Sequence, residues 1–87
     1  MSQDTLIRVR VLGFAAATEA LGCADFEAEF PVACTVQNAL DQLCAEHPSL
    51  LVLSDALATA VNLAYVTSDH VLHDGDELAL IPPVSGG

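Results

Sequence analysis

The sequence predicts an α+β fold in which a mixed sheet packs on one main helix and an extended tail follows. Three observations point there. Two alternating apolar–polar runs lie close together at the start, one amphipathic helical stretch occupies the middle, and further strand-like runs come after it. The chain has 87 residues, 53% of them hydrophobic, so apolar material for a core is present and disorder is a poor description. A single small domain follows, with a modest core, since a chain of this size buries roughly 60–65% of its unfolded surface.

From Thr5 to Leu12 the side chains alternate. Ile7, Val9 and Val11 fall on one face, and Leu6, Arg8 and Arg10 on the other. This is a half-buried strand whose outer face carries both basic side chains of the protein. The Ala-rich run Phe14 to Leu21, with Glu19, favours a short helix that Gly22 stops. Phe26, Ala28 and Phe30 then alternate with Asp25, Glu27 and Glu29, giving a second strand that ends at Pro31. The short connection between the two strands suits an antiparallel pair.

Thr35 is a good N-cap for the main helix. Val36, Ala39, Leu40, Leu43, Cys44 and His47 form its apolar stripe, Gln37, Asp41, Gln42 and Glu46 face water, and Pro48 marks the end. Leu50 to Ala58 reads as an irregular or short helical connection. Ala60 to Val66 is β-branched and aromatic enough for a strand. Asp69 to Leu72 suits a brief strand, His73-Asp74-Gly75-Asp76 a turn, and Glu77 to Ile81 the final strand. The domain therefore spans residues 1–81, and residues 82–87 form a flexible tail.

Twelve Asp and Glu stand against two Arg and no Lys, a formal net charge of −10. Two arginines cannot build a phosphate-binding footprint, so nucleic acid and anionic membranes are excluded as partners. Basic partners are expected instead, with association that weakens as salt rises. No run approaches the ~20 apolar residues of a membrane span, and Met1-Ser2-Gln3-Asp4 lacks the start of a signal peptide. The three cysteines, Cys23, Cys34 and Cys44, have no CxxC spacing and read as reduced thiols, which together imply a cytoplasmic protein. Each reads as a small buried or half-buried side chain; Cys34 is the least ordinary of the three, since a position just before a helix N-terminus would favour its thiolate. His70 and His73 lie among acids but in a strand-and-turn segment without metal-site geometry, so no metal is expected. His47 suits a helix C-terminus. Neither a nucleophilic triad nor a Gly-rich phosphate loop is present, so no cofactor is bound by this chain.

The tail Pro82-Pro83-Val84-Ser85-Gly86-Gly87 carries the chemistry. Two prolines fix φ, so the arm leaves extended and loses little entropy on being threaded. Six extended residues reach roughly 20 Å, and glycines without Cβ pass a narrow channel. The group presented is an unhindered carboxylate, which a partner with ATP can convert to an acyl-adenylate and a sulfur nucleophile to a thiocarboxylate. Phe14, Leu80, Pro82 and Pro83, with Val84 on the tail, are candidates for docking a partner, although Phe14 and Leu80 suit a core role equally well. The element order suits a ubiquitin-like roll.

The segment from Asp74 through Gly87, Asp-Gly-Asp-Glu-Leu-Ala-Leu-Ile-Pro-Pro-Val-Ser-Gly-Gly, resembles the C-terminal signature of molybdopterin synthase small subunits. Phe14-Ala15 with Glu19 and Gly22, and Ala60-Val61-Asn62, resemble two further stretches of that family. Thr18 departs from the pattern, standing where an arginine is common, which touches a surface ion pair and not the tail. The resemblance implies a ubiquitin-like β-grasp fold. It implies that an E1-like enzyme, using ATP and Mg²⁺, adenylates the carboxylate of Gly87, and that sulfur is then delivered to it. The thiocarboxylate would donate sulfur to cyclic pyranopterin monophosphate in the large subunit, within a heterotetramer of two small and two large subunits. The chain would thus be the sulfur-donating part of a sulfurtransferase whose active site lies mainly on the large subunit. Two alternatives share the tail: a thiamine-type sulfur carrier and a ubiquitin-like protein modifier. A plain interaction module with incidental glycines would share no such chemistry.

Overall fold

The computed structural model describes residues 6–83. Strand β1 (Leu6–Gly13) is followed by helix α1 (Ala16–Leu21), strand β2 (Asp25–Pro31) and the main helix α2 (Val36–Glu46). A one-turn helix α3 (Pro48–Leu51) and a 3-10 turn (Ser54–Ala56) lead to β3 (Ala58–Val61), β4 (Ala64–Tyr65) and β5 (Glu77–Ile81). The sheet order is β2-β1-β5-β3-β4, with β1 parallel to β5 and the other pairs antiparallel. This is the expected mixed sheet, and its central parallel pair joins the first strand to the last.

Alternation puts Ile7, Val9 and Val11 of β1, Leu78 and Leu80 of β5 and Val61 of β3 on the inner face, where they are buried with Val36, Ala39, Leu40 and Leu43 of α2. The expected helix stripe is therefore the core seam, with Cys44 and His47 half-buried at its end. Thr35 caps α2: its hydroxyl accepts from the Asn38 N–H at 3.2 Å, while the Asn38 carbonyl accepts from the Thr35 N–H at 3.3 Å. At the other end the His47 N–H donates to the Leu43 carbonyl, and the His47 ring sits 5.9 Å from that of Phe26. Pro48 ends α2 and, lacking an N–H to satisfy, opens α3.

Three expectations are corrected. Ala60 to Val66 is not one strand. The chain folds back at Asn62 (φ 53°) and Leu63 (φ 73°), leaving β3 and β4 as arms of a two-residue hairpin. Asp69 to Leu72 forms no strand, because it pairs only through one bridge, Val71 to Thr35, while Leu72 is buried in the core. Gln42, expected in water, is half-buried and donates to the Glu29 carbonyl of β2. The expected turn at His73–Asp76 is present, with Gly75 at φ 90° and the Asp76 N–H donating to the His73 carbonyl.

Candidate functional site

The outer face of the sheet is divided by composition. Its register aligns Leu12 with Ala79, Ala79 with Ala60, and Ala60 with Tyr65, one apolar row across four strands. The neighbouring row pairs Ile81 with Ala58. Directly opposed side chains on one face stand about 4.5–5.5 Å apart at Cβ, so the rows form a continuous patch. Tyr65 is 74% exposed, and Leu63, at the hairpin tip beside it, is 94% exposed. Phe14 borders the same end of the sheet: its N–H donates to the Leu80 carbonyl, and its side chain is 49% exposed.

Each flank of this patch is held by a specific device. Gly13 ends β1 where α1 crosses closely. A Cβ there would lie 2.9 Å from Leu21 Cδ1 and 3.2 Å from the Thr18 nitrogen. The Thr18 hydroxyl donates to the Gly13 carbonyl at 2.7 Å, so the residue that departs from the family pattern ties α1 to β1. On the other flank the Asn62 N–H donates to the Glu77 carbonyl, and its side-chain carbonyl accepts from the Glu77 N–H. The Asn62 amide also donates to the nearly buried Asp76 carboxylate at 2.9 Å. These bonds hold Asn62 in the left-handed region, where Asn is tolerated best after Gly, and so set the turn that presents Leu63 and Tyr65.

The predicted site residues separate by burial. Leu80 has no exposed surface, so it is a core residue and offers no side chain to a partner; its strand neighbour Ile81, on the opposite face, does. Pro82 is buried too and belongs to the packed body, while Pro83 is exposed. Val84, Ser85, Gly86 and Gly87 lie outside the described residues. Tyr65 and Ile81 were not among the predicted interface positions. The alternation of β5, which sends Leu80 inward and Ile81 outward, is the signal that could have found Ile81, whereas Tyr65 is placed by the hairpin between β3 and β4.

Cys34 is the buried side chain expected of it, and the thiolate alternative is excluded. It is buried, its Sγ lies 3.3 Å from the Thr35 carbonyl, and burial pushes its thiol pKa up. Cys44 is raised as well, by burial and then by the Asp41 carboxylate. Neither thiol is poised as a nucleophile. His73 stands 4.0 Å from Asp76 across the turn. Among the described residues no helix is long and apolar enough to cross a membrane.

A sheet that wraps one helix, with its last strand running out beside an exposed apolar patch, defines a ubiquitin-like β-grasp domain. Residues 11–87 match the ThiS family, and the chain belongs to that family. It is 39% identical to a molybdopterin synthase sulfur carrier subunit of Arabidopsis thaliana, over 99% of this chain and 91% of the relative. Among solved structures, it resembles a chain in the complex of subunits 1 and 2 of molybdopterin-converting factor from Helicobacter pylori. That likeness has TM-score 0.65 and 26% identity, covering 93% of this chain and 100% of the other. The small archaeal modifier protein 1 of Haloferax volcanii is also similar, with TM-score 0.78 and 28% identity over 90% of this chain and 99% of the other.

Proposed function

We propose that this chain is a sulfur carrier for molybdopterin synthesis and that the carboxylate of Gly87 is its reactive group. The observation that carries the reading is the Pro82-Pro83-Val84-Ser85-Gly86-Gly87 sequence, which lies inside the family match and follows β5 in the chain. An E1-like enzyme with ATP and Mg²⁺ adenylates the Gly87 carboxylate, releasing pyrophosphate. The terminal sulfur of a persulfide displaces AMP to give an acyl disulfide, and a thiol then attacks the donor's sulfur in that disulfide, forming a new disulfide and releasing the thiocarboxylate. In the large subunit of the synthase that thiocarboxylate gives its sulfur to cyclic pyranopterin monophosphate, and the carboxylate returns. The chain is then the sulfur-donating subunit of a sulfurtransferase, assembled as two small and two large subunits, and is consumed and recharged in each cycle.

Tyr65, Leu63, Ile81 and Phe14 form the surface that seats the carrier on the large subunit. Exposed aromatic and aliphatic side chains of this kind supply most of the energy of an interface core. The kinship with molybdopterin synthase carriers and the complex structure from Helicobacter pylori support this partner.

Intact mass tests the reading. After incubation with the activating enzyme, ATP, Mg²⁺ and a sulfur donor, the chain should gain the mass of one sulfur in place of one oxygen. An unchanged mass under conditions that charge a control carrier would overturn it. The likeness to a small archaeal modifier favours a second reading, conjugation to lysines of other proteins. In that case the activated chain would appear as adducts with other proteins, and adding the large subunit with the pterin substrate would yield no dithiolene. A thiamine-type carrier would take up sulfur yet likewise fail with the pterin.

A further inference from the structure

We propose that the free edge of β2 is a second docking site, which takes an extended basic segment of a partner protein as a sixth strand. The hydrogen-bond phase of the sheet determines which backbone groups face outward. The Gly13 N–H donates to the Ala24 carbonyl, and Val11, Val9 and Ile7 oppose Phe26, Ala28 and Phe30 in the same phase. The alternate residues of β1 turn toward β5: the Arg10 N–H donates to the Asp76 carbonyl, and the Arg8 carbonyl accepts from the Gly75 N–H. Asp25, Glu27 and Glu29 therefore point their N–H and carbonyl groups away from β1. Among the described residues these groups meet no backbone partner, and only the Glu29 carbonyl is engaged, by the Gln42 amide at 3.1 Å. Pro31, the next outward position, has no N–H to offer, so the open edge ends there.

The side chains around this edge select the occupant. On the outer face Asp25, Glu27 and Glu29 stand beside Arg8 and Arg10, and Glu46 lies across an open groove of about 660 Å³ on the helix side. Four carboxylates against two guanidiniums leave a net negative rim. A second copy of this chain would set one acidic row against another, which opposes self-pairing. A strand with lysine or arginine at alternate positions instead places cations beside the acids, and its intervening apolar side chains fall on Phe26 and Ala28, both only half-buried. β1 separates this edge from β5, so a partner strand on β2 leaves β5 and its neighbours β3 and β4 uncovered. The site goes beyond the sulfur-carrier reading and does not depend on it.

The full chain, isotopically labelled, should be titrated with a six-residue peptide of alternating lysine and valine, capped at both ends. The amides of Asp25, Glu27 and Glu29 are expected to shift together and to exchange with solvent about tenfold more slowly at saturation. Glu27→Pro deletes one outward N–H and no ladder bond, so it should weaken binding about tenfold beyond Glu27→Gln, which removes only the charge. The same peptide N-methylated at alternate residues keeps its charge but cannot pair, and should fail to bind; this arm needs no folded variant. Equal binding of the N-methylated peptide, or shifts without slowed exchange at the edge, would reduce the effect to plain charge attraction and overturn the site. So would concentration-dependent dimers that protect the same amides without peptide.

Discussion

Two halves of one sheet face, built on neighbouring strands, have been put to opposite uses. Over the middle of β1 and along β2 the outward residues are Arg8, Arg10, Asp25, Glu27 and Glu29, charged and in large part solvent-exposed, with Leu6 and Leu12 at the two ends of β1. Over β5, β3 and β4 only Glu77, at the start of β5 opposite Arg10, is charged; beyond it the outward residues are Ala79, Ile81, Ala58, Ala60 and Tyr65. The change comes within one step along β1, from Arg10 opposite Glu77 to Leu12 opposite Ala79. Contiguous water-exposed apolar surface has no structural reason on a domain of this size, which is why the docking role proposed above falls on this half. The charged half offers polar side chains to water and an open backbone edge instead.

The sharpest way to break the comparison is to remove the chemistry while keeping both halves. Deleting Gly86 and Gly87 should lower pterin sulfuration by at least about 10³-fold, as loss of the reacting group demands, with the unfolding midpoint unchanged because every side chain of the described core is kept. Surviving activity in a discontinuous dithiolene assay would sink the tail mechanism.

Next come Leu80 and the apolar patch, which separate packing from docking. Leu80→Ala should cost about 2–5 kcal/mol of stability, since the side chain is fully buried. Calorimetry reads this as a lower midpoint, while the affinity of the folded fraction for the large subunit stays near wild type. Tyr65→Ala should do the reverse. About 2 kcal/mol of binding, roughly a 30-fold rise in Kd by titration calorimetry, is expected with little change in midpoint. If Tyr65→Ala bound normally, the apolar half would lose its assigned role.

Asn62→Ala probes the turn that presents the apolar half, because Asn62 bonds to Glu77 and Asp76 and holds φ 53°. A cost of about 1–3 kcal/mol in denaturant unfolding is expected, from lost hydrogen bonds and from a left-handed Ala. Asn62→Gly should recover the backbone share of that loss. No recovery would mean that the turn is set by something other than these bonds.

Much of this was legible in the sequence, and the gaps have physical causes. The strands that became β1, β2 and β5 and the stripe of α2 announce themselves through period, because each has one buried and one wet face. The hairpin between β3 and β4 does not. Its turn residues are Asn62 and Leu63 rather than a glycine pair, and their positive φ is stabilised by Glu77 and Asp76 from a distant part of the chain. Cys34 is the buried side chain its sequence reading favoured, and the thiolate alternative fails because a helix N-terminus raises acidity only for a group that retains solvent. Leu80 against Ile81 could be told apart only with the facing of β5 known, since both are large and apolar and only one of them has the core behind it.

The smallest effect is expected where the structure shows the most ion pairs. Arg10 lies 3.4 Å from Asp25 and 3.9 Å from Glu27, and Arg8 lies 4.0 Å from Glu27 and 3.8 Å from Glu29. All these groups are more than 40% exposed, so solvent screens them, and each pair holds long side chains at an entropic cost. Replacing Arg8 and Arg10 together with Gln should therefore change stability by less than about 1 kcal/mol, and the difference should shrink further as salt is raised. A loss of several kcal/mol would mean that the arginines act as a structural clamp between β1 and β2. With the small effect expected, the charged half owes its arrangement to keeping acids soluble and in register along an open edge, and the two halves differ in what they present rather than in how strongly they hold the sheet together.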